Sequence, residues 1–189
     1  ASTSVLSATE APKIPEIPTH STGRAVVIGS VGLDTGAPRL DATVGSAAAG
    51  NTGSNNAIRL ADLGWEVTLI ASIGDDPAGE LLTADCRRWG VRTGGLVVTP
   101  GYSTPIVRIV ADGSGPSEIL PRPSMGHGLG PRPLQVPAAN ELPSDVLATV
   151  ASADLVIFDV PSSNAVEICR SNHRGLIWYE ASMYEASDS

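Results

Sequence analysis

The residues of this 189-residue chain whose types and spacing could do chemistry are one asparagine-rich segment and three carboxylates. The segment Gly50-Asn51-Thr52-Gly53-Ser54-Asn55-Asn56-Ala57 puts two glycines ahead of apolar positions Ala57, Leu60 and Ala61, which recur at three and four. Glycines at a helix start let the backbone approach a ligand closely. The free N–H groups of the first turn face hydroxyls or an anion, and an asparagine there adds a donor and an acceptor together. By residue chemistry alone the segment is either a binding site for such a ligand or a plain glycine-rich turn. Asp34, Asp159 and Glu180 each come at or shortly after the end of an apolar run. Ligands of open α/β sheets bind beyond the carboxyl ends of the strands, where a carboxylate can accept bonds from a polyol. Each carboxylate could equally cap the next helix or turn.

Other candidates carry less. His20, His127 and His173 share no spacing that suits a metal or a proton relay, so no metal site and no catalytic residue is expected from this chain. Gly126, Gly128 and Gly130 form a superficial phosphate-loop pattern, but no strand leads in and Pro131 follows directly. Cys86 and Cys169 are far apart in apolar helical contexts, which fits a reducing compartment rather than a disulfide framework. A net charge of −8 argues against a nucleic-acid partner. The few clustered bases, Arg87, Arg88 and Arg92, fall around one helix end, where cations complement the negative pole. No apolar run reaches the roughly 18 residues a membrane span needs, and no signal peptide opens the chain. The expected location is cytoplasmic, or an organellar stroma or matrix if a transit peptide preceded Ala1.

The elements that must position these residues follow from periodicity. Residues 1–23, broken by Pro12, Pro15 and Pro18, read as an extended Ser/Thr/Pro-rich tail, and residues 24–189 as one domain. Ala25 to Ile28 is an apolar strand stopped by Gly29; Ser54 to Leu63 is a helix stopped by Gly64; Glu66 to Ile73 is a strand. Asp75 and Asp76 before Pro77 mark a capped helix that runs to Gly90. Strand, helix, strand, helix is the rhythm of a doubly wound α/β sheet. The stretch around 102–112 alternates like an antiparallel strand of a small second sheet, and the Pro/Gly-rich stretch 113–143 reads as a loop. Leu155 to Phe158, Ser162 to Cys169 and Leu176 to Tyr179 resume as strand, helix and strand.

From Val27 to Gly79 the sequence resembles the opening of PfkB-type, ribokinase-like carbohydrate kinases. There an apolar strand leads through Gly-Ser to an Asp. A Gly-Gly-x-Gly-x-Asn-x-Ala helix start follows, then Leu-Ala-x-Leu-Gly and Gly-Asp-Asp with a Gly three residues beyond. The matching residues here are Gly29, Ser30 and Asp34; Gly50, Gly53, Asn55 and Ala57; Leu60, Ala61, Leu63 and Gly64; and Gly74, Asp75, Asp76 and Gly79. Ser103 and Thr104 resemble the entry to the family's lid strand, and the likeness extends to about residue 185. It implies a Rossmann-like three-layer α/β/α fold with a small β lid. The implied activity is ATP-dependent phosphorylation of a hydroxymethyl group on a sugar or nucleoside, with Asp34, Gly50, Asn51, Asn55 and Asp159 binding the substrate. Complete family members would also use ATP and Mg. Their phosphoryl-transfer residues lie in a later Gly-Ala-Gly-Asp segment, and no Gly-x-Gly-Asp occurs in this sequence.

Four departures stand out. Asn51 replaces the second Gly of the helix start, Thr52 sits at a frequent Lys, and Gly32 stands where ribokinases place an Asn, removing one sugar contact. From Asp34 to Gly50 there is only a short link where the family has a longer lid hairpin, so the lid is expected to be stunted. The chain is therefore expected to be the substrate-binding half of such a kinase, with an incomplete fold, inactive alone and without its own cofactor site. The alternative is a non-catalytic, kinase-like structural or interaction subunit. A half-sheet also leaves an open edge for a protein partner to cover.

Overall fold

The computed structural model describes residues 23–36, 47–108, 118–120, 136–160, 162–172 and 175–180. The expected tail up to residue 22, most of the 113–143 loop with its three glycines, and all three histidines lie outside the described residues. In chain order the elements are β1 (Arg24–Ile28), β2 (Gly32–Thr35), β3 (Ala47–Gly50), α1 (Asn51–Asp62), β4 (Glu66–Ile73), α2 (Pro77–Arg88) and β5 (Arg92–Val98). There follow β6 (Ile106–Arg108), β7 (Glu118–Leu120), a 3-10 turn (Ala139–Glu141), α3 (Ser144–Ser152), β8 (Leu155–Phe158), α4 (Ser163–Arg170) and β9 (Leu176–Tyr179).

Five strands form a parallel sheet in the order β5-β4-β1-β8-β9. The apolar run of β1 suits its central place, because a strand covered on both faces has no wet side. Its side chains alternate between two cores. Ala25 and Val27 join Leu69 of β4, Ala57 of α1 and Leu82 of α2, whereas Val26 and Ile28 join Val150 of α3, Val156 of β8 and Ile168 of α4. Helices on both faces give the three-layer arrangement that the resemblance implies.

Two glycines set where the first helices end. Gly64 (φ 87°) and Gly90 (φ 79°) take the left-handed conformation, and each follows a helix whose last carbonyls are met by the next N–H groups, Gly64 N to Ala61 O at 2.9 Å and Gly90 N to Arg87 O at 2.9 Å. At the other end of α2, Asp76 is the N-cap, as expected. One of its carboxylate oxygens accepts from Gly79 N and the other from Thr104 N, each at 2.8 Å, while Thr104 Oγ1 accepts from Gly74 N at 2.8 Å. The Gly74-Asp75-Asp76-Gly79 motif is thus a clamp that fixes the chain leading into β6.

The second sheet corrects two expectations. Its order is β3-β2-β6-β7, so the stretch after Asp34 that reads as a short link contributes a hairpin of two strands. Within the stretch 102–112 a strand forms at Ile106–Arg108, and it runs parallel to β2 and antiparallel to β7, so the sheet is mixed. Gly-Leu-Asp-Thr and Ala-Ala-Ala-Gly have little intrinsic strand preference, and pairing supplies what propensity lacks. β5 is concealed in the sequence by Gly94 and Gly95 for the same reason. Gly95 is needed there, since a Cβ would lie 2.6 Å from Leu69 O.

The cysteines and bases behave structurally. Cys86 and Cys169 are free and buried, and burial pushes their thiols up to about 12 and about 11, far from a reactive thiolate. Arg88 pairs with Asp85 at 2.9 Å and Arg92 with Glu66 at 3.4 Å, which neutralises two of the three clustered bases within the fold.

Candidate functional site

The chain leaves β1 toward β4 and β5 on one side of the sheet and returns to β8 and β9 on the other. The carboxyl ends of β1 and β8 therefore bound the crevice where open α/β sheets hold ligands. The turn Gly29-Ser30 fills this point and is gripped from two directions. Ser30 N donates to Asp159 Oδ1 at 2.8 Å, and Ser30 Oγ donates to Asp159 Oδ2. From α1, Gly53 presses so closely that a Cβ on it would lie 2.5 Å from Ser30 O and 3.0 Å from Ser30 N.

Asp159 lies beneath this turn, 2% exposed, with both oxygens on Ser30. It braces the floor of the crevice. Its pKa is raised above the ordinary 3.8, mainly because burial disfavours the charge; the bonds from Ser30 oppose the shift and the charge of Glu180 adds to it. A carboxyl with a raised folded-state pKa contributes most to stability below its ordinary pKa and loses that contribution as pH rises through the raised value. Asp159→Asn should therefore trail the wild type most at pH 4, with the gap narrowing toward pH 7. Urea midpoints at the two pH values check this, and a gap independent of pH would contradict it.

The second sheet supplies the other wall of the site, with Gly32 and Gly50 buried and Asp34 and Asn51 half-buried. In the β2–β3 pairing, Gly32 faces Gly50 and Asp34 faces Ala48. The Asp34 carboxyl lies across the Cα of Gly50, where no Cβ could fit, and Gly50 is the N-cap of α1. The side chain of Asn51 lies over Gly32: a Cβ there would be 2.6 Å from Asn51 Nδ2. Asn51 has φ 64° and starts the helix directly from β3, three residues before the Ser54 start expected from periodicity. Asn55 is exposed one turn later, and Asn56 beside it donates to Glu180 at the end of β9.

Of the expected binding residues, the structure gathers Asp34 and Asn51 around the buried pair Gly32 and Gly50, puts Asn55 one helical turn away, and joins Asp159 to them through Ser30 and Gly53. Ser30, Gly32 and Glu180 were named from the sequence, but the bonds of Ser30 to Asp159, the cover of Asn51 over Gly32 and the Asn56–Glu180 bond were not.

The charge of Asp34 narrows the chemistry. A helix start attracts anions, but a carboxylate set beside Gly50 repels a phosphate there. What fits beside it is a neutral group with hydroxyls to donate to the carboxylate and oxygens to accept from N–H groups. Among the described residues no cluster of three or more His, Cys, Asp or Glu could hold a metal ion.

A family profile described as pfkB family carbohydrate kinase matches residues 23–171. Over 64 residues the chain is 44% identical to an Escherichia coli protein described as an uncharacterized sugar kinase, a match that covers 34% of this chain and 18% of that one. Among solved structures, an uncharacterized sugar kinase from Pyrococcus horikoshii superposes with a TM-score of 0.60 at 22% identity, over 84% of this chain and 53% of that one. The same protein with ATP bound gives 0.59 at 21%. A fructokinase from Xylella fastidiosa gives 0.59 at 15% identity, over 82% and 49%. The chain thus spans about half the length of these solved relatives, and the shared architecture is the ribokinase-like α/β fold.

Proposed function

The chain belongs to the pfkB family of carbohydrate kinases, and from that premise we propose that it forms the substrate-holding side of an ATP-dependent kinase that phosphorylates a hydroxymethyl group of a sugar or nucleoside. The observation that carries the reading is the Asp34 carboxyl laid across Gly50 at the start of α1. Asp34 accepts from substrate hydroxyls, Asn51 and Asn55 offer amides, and the missing Cβ atoms at Gly50 and Gly32 leave the room in which the Asp34 and Asn51 side chains sit. Asp159 acts from below, through Ser30. The sheet β3-β2-β6-β7 carries three of these residues, Gly32, Asp34 and Gly50, and shields the bound hydroxyls from water.

ATP would supply the phosphoryl group, and Mg its charge neutralisation. The described residues do not fit either. The start of α1 is faced by Asp34, that of α2 is closed by Asp76, and the sequence has no Gly-x-Gly-Asp to provide an anion hole and a base. The nucleotide side therefore belongs to a further part of the kinase fold. The exposed strand β9, with Leu176 at 62% and Trp178 at 56% exposure, is the surface on which that part would pair.

Transfer of labelled phosphate from ATP to D-ribose, D-fructose or adenosine tests this division. The 189-residue chain alone should show none. Turnover by it that disappears in Asp34→Ala would place the whole reaction within this chain and overturn the reading.

A further inference from the structure

Position 51 is costly for any residue but glycine. Its φ of 64° is the one left-handed non-glycine backbone among the described residues, and asparagine is among the few side chains that tolerate it. This conformation sends the chain from Gly50 of β3 straight into α1 and brings the Asn51 amide over the Cα of Gly32. A Cβ at position 32 would lie 2.6 Å from Asn51 Nδ2 and 3.3 Å from its Cγ. Gly32 also sits close to the backbone on its other side, 3.1 Å from Pro105 O by the same measure. Positions 32 and 51 therefore share one space, and only one of them can fill it.

The space is chemically placed. Gly32 and Asp34 lie on the same face of β2, and Gly50, beneath the Asp34 carboxyl, is the register partner of Gly32. The amide thus lies over the same buried glycine pair as the carboxylate, reaching it from the helix rather than from the strand.

We propose that Asn51 is a specificity-determining residue of this site, the group that chooses among substrates by their hydroxyl pattern, and that Gly32 is bare so that the amide can occupy its place. The inference rests on the reading of the site as a sugar or nucleoside site. It assigns discrimination to position 51 and makes 32 and 51 a coupled pair. An amide that pairs with one substrate hydroxyl is left unsatisfied by an analogue lacking it, which costs about tenfold in affinity.

The test uses the 189-residue chain and two sugars that differ by one hydroxyl, D-ribose and 2-deoxy-D-ribose, with adenosine and 2′-deoxyadenosine as the nucleoside pair. Asn51→Asp keeps size and tolerance of the left-handed backbone but removes the N–H donors, and Asn51→Gly removes the side chain. Both should retain the wild-type melting temperature within a few degrees while the affinity ratio within a pair changes about tenfold. The double variant Gly32→Asn/Asn51→Gly, which returns an amide to the space from the strand, should recover part of the wild-type ratio. Gly32→Ala should destabilise the wild type more than it destabilises Asn51→Gly. A wild type that binds one of these ligands, with both Asn51 variants leaving its ratio unchanged, overturns the inference alone. A wild type that binds none of the four removes the sugar-site reading and this inference with it.

Discussion

Gly53→Ala is expected to destabilise the fold, by up to about 2 kcal/mol, although alanine is the better helix former. In an open helix the exchange would gain about 1 kcal/mol. Here the added methyl would lie 2.5 Å from the carbonyl oxygen of Ser30 and 3.0 Å from its nitrogen, both backbone atoms that cannot swing aside. The turn cannot retreat, because Ser30 is bonded on its far side to buried Asp159. Overpacking of this kind costs about 1–3 kcal/mol and occasionally more, so the clash outweighs the helix gain. Denaturant midpoints would register it, and a midpoint equal to or above that of the wild type would show that α1 does not rest on Ser30 as described. The same variant should weaken ligand binding, since α1 carries the site.

Asp34→Ala has the largest effect expected on binding. Hydrogen bonds to a charged group contribute about 1.5–3 kcal/mol each, so losing a carboxylate that holds a substrate hydroxyl lowers affinity roughly 10- to 100-fold. Removing the carboxylate should also make the start of α1 more receptive to anions, so inorganic phosphate should bind the variant better than the wild type. Titration calorimetry reads both directions, and a variant that holds sugar and phosphate as the wild type does would exclude Asp34 from the site.

Strands and helices whose own residues specify them were legible in the sequence. β4, β8 and β9 fall where their apolar runs lie, and Asp76 with Pro77 marks the start of α2. β2, β3 and β5 were not legible, because alanines and glycines form strands only when a neighbour pairs with them. The early start of α1 was hidden because a left-handed residue is a backbone fact that asparagine permits without announcing. The site divides in the same way. Asp34, Gly50 and Asn51 were visible as types at a strand end and a helix start. That Asp159 lies under Ser30, and that Asn51 covers Gly32, depends on chain segments about 130 and 20 residues apart meeting in space. The resemblance expected a lost contact at Gly32, and the structure places an amide there from position 51.

The most direct test of the central claim is calorimetric titration of the 189-residue chain with D-ribose, D-fructose and adenosine, and separately with ATP and magnesium. The account predicts binding of at least one sugar or nucleoside, weakened roughly 10- to 100-fold in Asp34→Ala, and no binding of ATP. ATP binding without any sugar or nucleoside binding would contradict it.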